Sequence, residues 1–181
     1  LNILWFRRDL RITDNKALAN CVKEGKDILP IYIIENELLE EGVLFQPRTK
    51  FLFSALKRLA DKMAQVHSKL FVFRGDPLRI IHQICSQRVV EGLFFNRNYE
   101  PKEIERDREI WQYCQNNGVR VRSYKDQVLH ERGEILKKDK TPYRVFSFYY
   151  KQWKSLVKDN SEEIKPFKTV DFEEFQLNSI P

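Results

Sequence analysis

Apolar residues fall along this chain in short unbroken runs, separated by longer stretches in which they recur every three or four positions. That alternation between a strand-like and a helix-like period is the first structural signal. The run NILWF (2–6) predicts a buried strand, and the residues from about Asn15 to Glu24 predict a helix. Asp14 is the expected N-cap of that helix and Gly25 the residue just past its end. ILPIYII (28–34) predicts a second strand, with Pro30 near its start, where a missing N–H matters least. Over 47–67, Phe51, Leu52, Ala55, Leu56, Leu59 and Met63 share one face of a long helix.

The pattern then repeats. KLFVF (69–73) predicts a strand stopped by Gly75-Asp76-Pro77, with the proline early in the next helix. That helix runs to about Gln87 and buries Ile80, Ile81 and Ile84. GLFFN (92–96) is a fourth strand, and Pro101 opens a charged helix through Asn117 with Ile104, Trp111 and Cys114 inward. Gly118 ends it, and VRVRSY (119–124) alternates valine with arginine as a half-exposed edge strand. Five such units predict an α/β fold: a doubly wound, Rossmann-like, five-stranded parallel sheet with helices on both faces. Residues 126–153 form a connection that ends in an aromatic helix, and from 159 to 181 the chain turns polar and acidic. The expected organisation is one domain over 1–158 and the start of a linker over 159–181.

Composition narrows the class without naming a chemistry. Of the 181 residues, 42% are hydrophobic and 13% aromatic, which suits an ordered globular domain. The net charge of +6 and pI near 9.2 arise from dispersed basic residues, so most of the charge is expected to be solvated surface. Cys21, Cys85 and Cys114 are far apart, and His67, His82 and His130 are equally scattered, so no zinc-type spacing exists. No stretch approaches the roughly 20 apolar residues of a membrane span, and the expected location is a reducing cytoplasm with no membrane partner.

In open parallel sheets, ligands sit beyond the carboxyl ends of the strands, where the strand order reverses. The residues there are Arg7 to Asp9, Glu35-Asn36, Arg74 to Asp76, and Arg97 to Glu103. They contain neither GxGxxG nor GxxxxGK[ST], and no serine, histidine and aspartate together. Dinucleotide chemistry, nucleotide hydrolysis and a hydrolase triad are therefore disfavoured; the loops suit holding a ligand. WFRRDLRITDNKAL (5–18) ends its strand in arginines with no glycine for the turn. Buried guanidiniums need partners, and Asp9 and Asp14 are the nearest in sequence. The cluster is either a set of salt bridges that fixes the loop or a polar lip for a ligand or second domain.

That same stretch resembles the opening WFRxDLRxxDNxAL of the DNA photolyase and cryptochrome family. RTKFLFSALKRL (48–59) is similar to the family's R-x-x-FL helix, and LFVFRGDP (70–77) to its third strand and turn. FFNRNYEPKEIERD (94–107) resembles the loop and helix after strand four, and PYRVFSFYYKQW (142–153) the closing PY-x-VF-x-P-F-x-K-x-W motif. The resemblance implies an N-terminal domain that carries an antenna chromophore. The catalytic FAD belongs to a larger helical C-terminal domain that is absent here. It further implies that the full-length protein is a carbon–carbon lyase, a deoxyribodipyrimidine photolyase repairing cyclobutane pyrimidine dimers in DNA, with this fragment alone inactive. Its partners would be that FAD domain and, through it, damaged DNA. The same domain of a cryptochrome light sensor is one alternative, and a stand-alone nucleotide-binding electron-transfer module another.

The resemblance also nominates site residues. Arg48 stands where some members contact a deazaflavin, and Asn98 where those members have aspartate. Lys102 and Glu103 stand where folate-using members pair an asparagine and a glutamate against the pterin; only the glutamate is kept. The antenna implied is thus a folate, a deazaflavin, a flavin or none. A cleft lined by Phe6, Arg7, Glu35, Arg48, Asn98, Lys102 and Glu103 is expected to hold it. Glu103 has a second reading, a first-turn carboxylate favoured by the helix dipole. In the last motif Phe148 replaces the usual proline, with Ser147 expected to cap the helix. Phe146, Phe148, Tyr149, Tyr150 and Trp153 are expected to pack in the core, under the linker or against the second domain.

Overall fold

The structure is a computed structural model that describes residues 1–40 and 46–157. The strands are β1 (Asn2–Phe6), β2 (Ile28–Ile34), β3 (Phe71–Arg74), β4 (Gly92–Asn96) and β5 (Arg120–Tyr124). The helices are α1 (Lys16–Lys23), α2 (Pro47–Gln65), α3 (Pro77–Gln87), α4 (Pro101–Asn116) and α5 (Phe146–Ser155). A 3-10 turn, Asn36–Leu39, follows β2. The strands pair in the order β3-β2-β1-β4-β5, every pairing parallel. The doubly wound sheet expected from the alternation is present. The strand order reverses at β1 and β4, whose neighbouring ends therefore release chain to opposite faces.

Because β1 is wholly buried, its alternate side chains feed two separate cores. Ile3 and Trp5 point with Leu29, Ile31, Leu93 and Phe95 toward Ile80, Ile81 and Ile84 of α3 and Ile110 and Cys114 of α4. Leu4 and Phe6 point the other way, with Tyr32 and Phe94, toward Leu18 of α1 and Leu56, Leu59 and Met63 of α2. Pro30 lies opposite Leu4, just before β3 begins to pair at Ile31. The missing N–H thus falls where β2 has fewest ladder bonds to lose.

Several local expectations need correction. The N-cap of α1 is Asn15, whose side chain accepts from the Leu18 N–H; Asp14 precedes it with a positive φ of 50°. Gly25 takes its expected place beyond the helix, at φ 65°. On α2, Phe51 is 67% exposed, because it lies five positions before Leu56 and so roughly 140° around the helix from it. On α4, Cys114 is buried but Ile104 and Trp111 are 42% and 38% exposed; the inward partner of Cys114 is Ile110, four residues earlier. Helix α5 starts at Phe146, before Ser147, and its N-cap Val145 provides no side-chain hydrogen bond.

The aromatic set of α5 is not part of either core. No residue of this helix is buried, and Phe146 and Phe148 are 75% and 63% exposed. Instead the rings stack on one another, Phe146 on Tyr150 at 5.9 Å and Tyr150 on Trp153 at 6.2 Å. Trp153 also meets His130 edge-on. The linker expected over 159–181 lies outside the described residues.

Candidate functional site

The turn after β1 is built around Asp9 and two asparagines. Asp9 Oδ1 accepts from the Arg7 backbone N–H at 2.8 Å. Asp9 Oδ2 accepts from the side-chain amides of Asn15, at 3.0 Å, and Asn96, at 2.5 Å. Asn15 Oδ1 accepts from the amide of Asn96 and from the Leu18 N–H that it caps, while Asn96 Oδ1 accepts from the Ala17 N–H. Asp9, Asn15 and Asn96 are all buried, so this knot supplies the partners that the turn's backbone groups lack. A carboxylate and two amides thus support a turn that carries no glycine.

The arginines turn away from that knot. Arg7 lies over the rings of Trp5 and Phe95, at 4.9 and 4.6 Å from their centroids. Its Nη1 donates to both Asp107 oxygens at 2.6 and 2.7 Å, and Nη2 donates to the Asn96 carbonyl. Burial pulls the Arg7 guanidinium below its ordinary pKa, while the Asp107 carboxylate opposes that shift. Arg106 extends the chain of charges, bonding Glu35 at 2.7 Å and approaching Asp107 at 3.3 Å. Arg8 reaches Glu100 at 2.6 Å and Glu103 at 3.4 Å, and Arg11 reaches Asp126 at 2.7 Å. The expected partners Asp9 and Asp14 are therefore replaced: Asp9 is occupied by amides, and Asp14 offers Arg11 only its carbonyl.

The residues nominated for a ligand divide into three groups. Arg7 and Glu35 belong to one ion-pair chain through Asp107 and Arg106. Asn98 and Glu103 pair directly, the Asn98 amide donating to Glu103 Oε1 at 2.9 Å. Lys102 is exposed and bonds Glu37 at 2.9 Å, a contact that raises its pKa. Arg48 is exposed near the start of α2, and Phe6 is fully enclosed in the α1–α2 core, where it offers no surface to a ligand. Asn96, Arg106 and Asp107 are the residues that sequence reasoning missed. The available signal was the need for acids to balance three arginines; α4 supplies them for Arg7 and, in part, for Arg8, while Arg11 is met by Asp126 beyond β5.

Glu103 has the most suggestive geometry. It sits in the first turn of α4, Oε1 is fixed by Asn98, and Oε2 is buried without a hydrogen-bond partner. The helix dipole favours a carboxylate there, but a buried, unfilled acceptor beside a strand-end crevice also suits a ligand N–H donor. A separate cavity of about 570 Å³ opens between α4 and the ends of β4 and β5, and of the nominated residues it includes Asn98 alone. Among the described residues, no group of three or more His, Cys, Asp or Glu is placed to hold a metal ion, and no helix is long and apolar enough to cross a membrane.

Comparison with known proteins adds an independent line. The family described as DNA photolyase matches residues 2–170. A deoxyribodipyrimidine photo-lyase of Synechococcus sp. is 28% identical over 98% of this chain and 37% of its own length. One from Agrobacterium fabrum is 32% identical over 85% of this chain and 31% of its own. The crystal structure of an archaeal photolyase from Sulfolobus tokodaii, described with two FAD molecules, superposes with a TM-score of 0.79. It is 25% identical and covers 95% of this chain, which spans 39% of that one. The chain thus spans between 31% and 39% of the length of these three relatives.

Proposed function

The chain belongs to the DNA photolyase family, and from that premise we propose that it is the light-harvesting domain of a deoxyribodipyrimidine photolyase. In this reading it binds an antenna chromophore at the strand ends and works with a larger FAD-bearing domain that contacts damaged DNA. The observation that carries the reading is the buried, unpartnered Glu103 Oε2, held in place by Asn98 and Arg8 at the β1–β4 crevice. A folate, deazaflavin or flavin ring carries the N–H donor that such an oxygen lacks. The Sulfolobus protein's two FAD molecules favour a flavin among these.

When bound, the chromophore would supply absorption of blue light, which protein side chains do not provide. The chain's own residues do the holding. Glu103 accepts from the ring edge, and Asn98 and Arg8 keep its carboxylate oriented. Arg48 and Lys102, both exposed, offer cations to a carboxylate or phosphate of the ligand. The Arg7–Asp107–Arg106–Glu35 chain keeps the neighbouring strand ends rigid and their charges neutralised. None of these groups can act as a light-excited electron donor. Dimer-containing DNA incubated with the purified chain under blue light should therefore keep its lesions at the no-protein level. Repair above that level would contradict the assignment of a harvesting role.

A further inference from the structure

We infer that the cavity between α4 and the ends of β4 and β5 is a second small-molecule site, for a nucleotide: a planar base joined to an anionic group. This goes beyond the chromophore reading, because the cavity shares only Asn98 and Asp107 with the strand-end ion pairs and hydrogen bonds. It is otherwise lined by residues that those contacts do not use, among them Ile104, Arg108, Trp111, Gln112 and Gln115 of α4. Its volume of about 570 Å³ is within the roughly 300–1,000 Å³ typical of cofactor and ligand pockets.

The walls fit such a ligand. Ile104 and Trp111 are seven residues apart on α4 and so lie on nearly the same line along the helix. Both line the cavity while remaining more than a third exposed, although Ile110 and Cys114 on the adjacent line are fully buried. An indole face at a cavity wall is a stacking platform for a planar ring. Arg108, one turn after Ile104, also lines the cavity and has no ion-pair partner among the described residues. The other charges there are already balanced: Asp107 by Arg7, and Arg97 by the Glu131 carboxylate. Arg108 is thus a free cation where an anionic group would be drawn. Gln112 and Gln115 place amides along the same wall, able both to donate to and to accept from a base edge. Arg97 Nε, buried and without a hydrogen-bond partner, is an orphan donor on a lining residue.

Calorimetric titration of the purified chain with adenosine monophosphate, which carries no flavin ring for the strand-end crevice, tests the site. Saturable binding at one per chain is expected. Trp111→Ala and Arg108→Ala should each weaken binding tenfold or more, Arg108→Lys less, and Arg48→Ala and Glu103→Gln not at all. Trp111 and Arg108 are exposed, so their variants should melt like the parent. No saturable binding at millimolar ligand, or binding indifferent to Trp111→Ala and Arg108→Ala, overturns the site. Binding weakened by Glu103→Gln but not by Trp111→Ala would move the nucleotide to the strand ends, overturning this inference while supporting the chromophore reading. The reverse pattern sustains it independently.

Discussion

Arg7 and Asp107 stand a hundred positions apart in sequence and form a buried pair with two contacts below 3 Å. Removing one partner of such a pair leaves a charge that neither water nor protein compensates. Asp107→Asn should therefore cost about 3–5 kcal/mol, read from denaturant unfolding. The coupling of Arg7 with Asp107 in a double-mutant cycle should exceed that of the Arg7 side chain with Asp9. Equal couplings would contradict the arrangement of partners. The need to neutralise Arg7 is legible in the sequence, since a guanidinium at a buried strand end is expensive. The identity of its partner is not, because proximity along the chain favoured Asp9, whose carboxylate the turn needs for its own amides. At the same scale, burial pushes the Cys114 thiol up to about 12 and raises Cys21 and Cys85 as well. Below about 9 these thiols are protonated in both folded and unfolded chains. Above it the unfolded chain loses protons that the folded chain keeps, so their contribution to stability falls as pH rises toward 12. At pH 8 a disulfide-exchange reagent should label native protein at Cys85 only, with Cys21 and Cys114 reacting after denaturation. Prompt reaction of all three would contradict the burial of Cys21 and Cys114.

The strands and helices were largely legible, because buried parallel strands read as short continuous apolar runs and the intervening helices keep a 3.6-residue period. The faces of those helices were less so. Phe51, Ile104 and Trp111 looked inward by type, but each lies off the line set by the residues that meet the sheet. Hydrophobicity alone does not separate a core position from a position beside a cavity. Two positions show what the elements require. Asn15 caps α1 and also bonds Asp9, so Asn15→Ala should cost about 2 kcal/mol or more, the upper end of the range for a cap. Gly92 begins β4, and a methyl there would lie 2.7 Å from the Phe94 ring and 3.0 Å from Asn2 Oδ1. Gly92→Ala should thus destabilise the domain by about 1–3 kcal/mol, through overpacking of a buried strand. A melting point equal to the parent's for either variant would contradict these contacts.

For the molecule as a whole, the strand order brings the ends of β1 and β4 together, and the residues around that crevice are the ones a ligand would meet first. The doubly wound class followed from the regular alternation of strands and helices, whereas the strand order itself came only with the structure. What spacing could not supply was the way the crevice is occupied: Arg7 and Glu35 are tied into ion pairs, whereas Glu103 keeps one buried oxygen unfilled. In the proposed function this crevice holds a chromophore. The most direct measurement is a fluorescence-anisotropy titration of folate, deazaflavin and flavin probes with the purified chain and its Glu103→Gln and Arg48→Ala variants. Saturable binding of at least one probe, weakened tenfold or more by either substitution, is the result expected. Absence of binding for all three, or binding unchanged in both variants, would contradict a chromophore site at the strand ends.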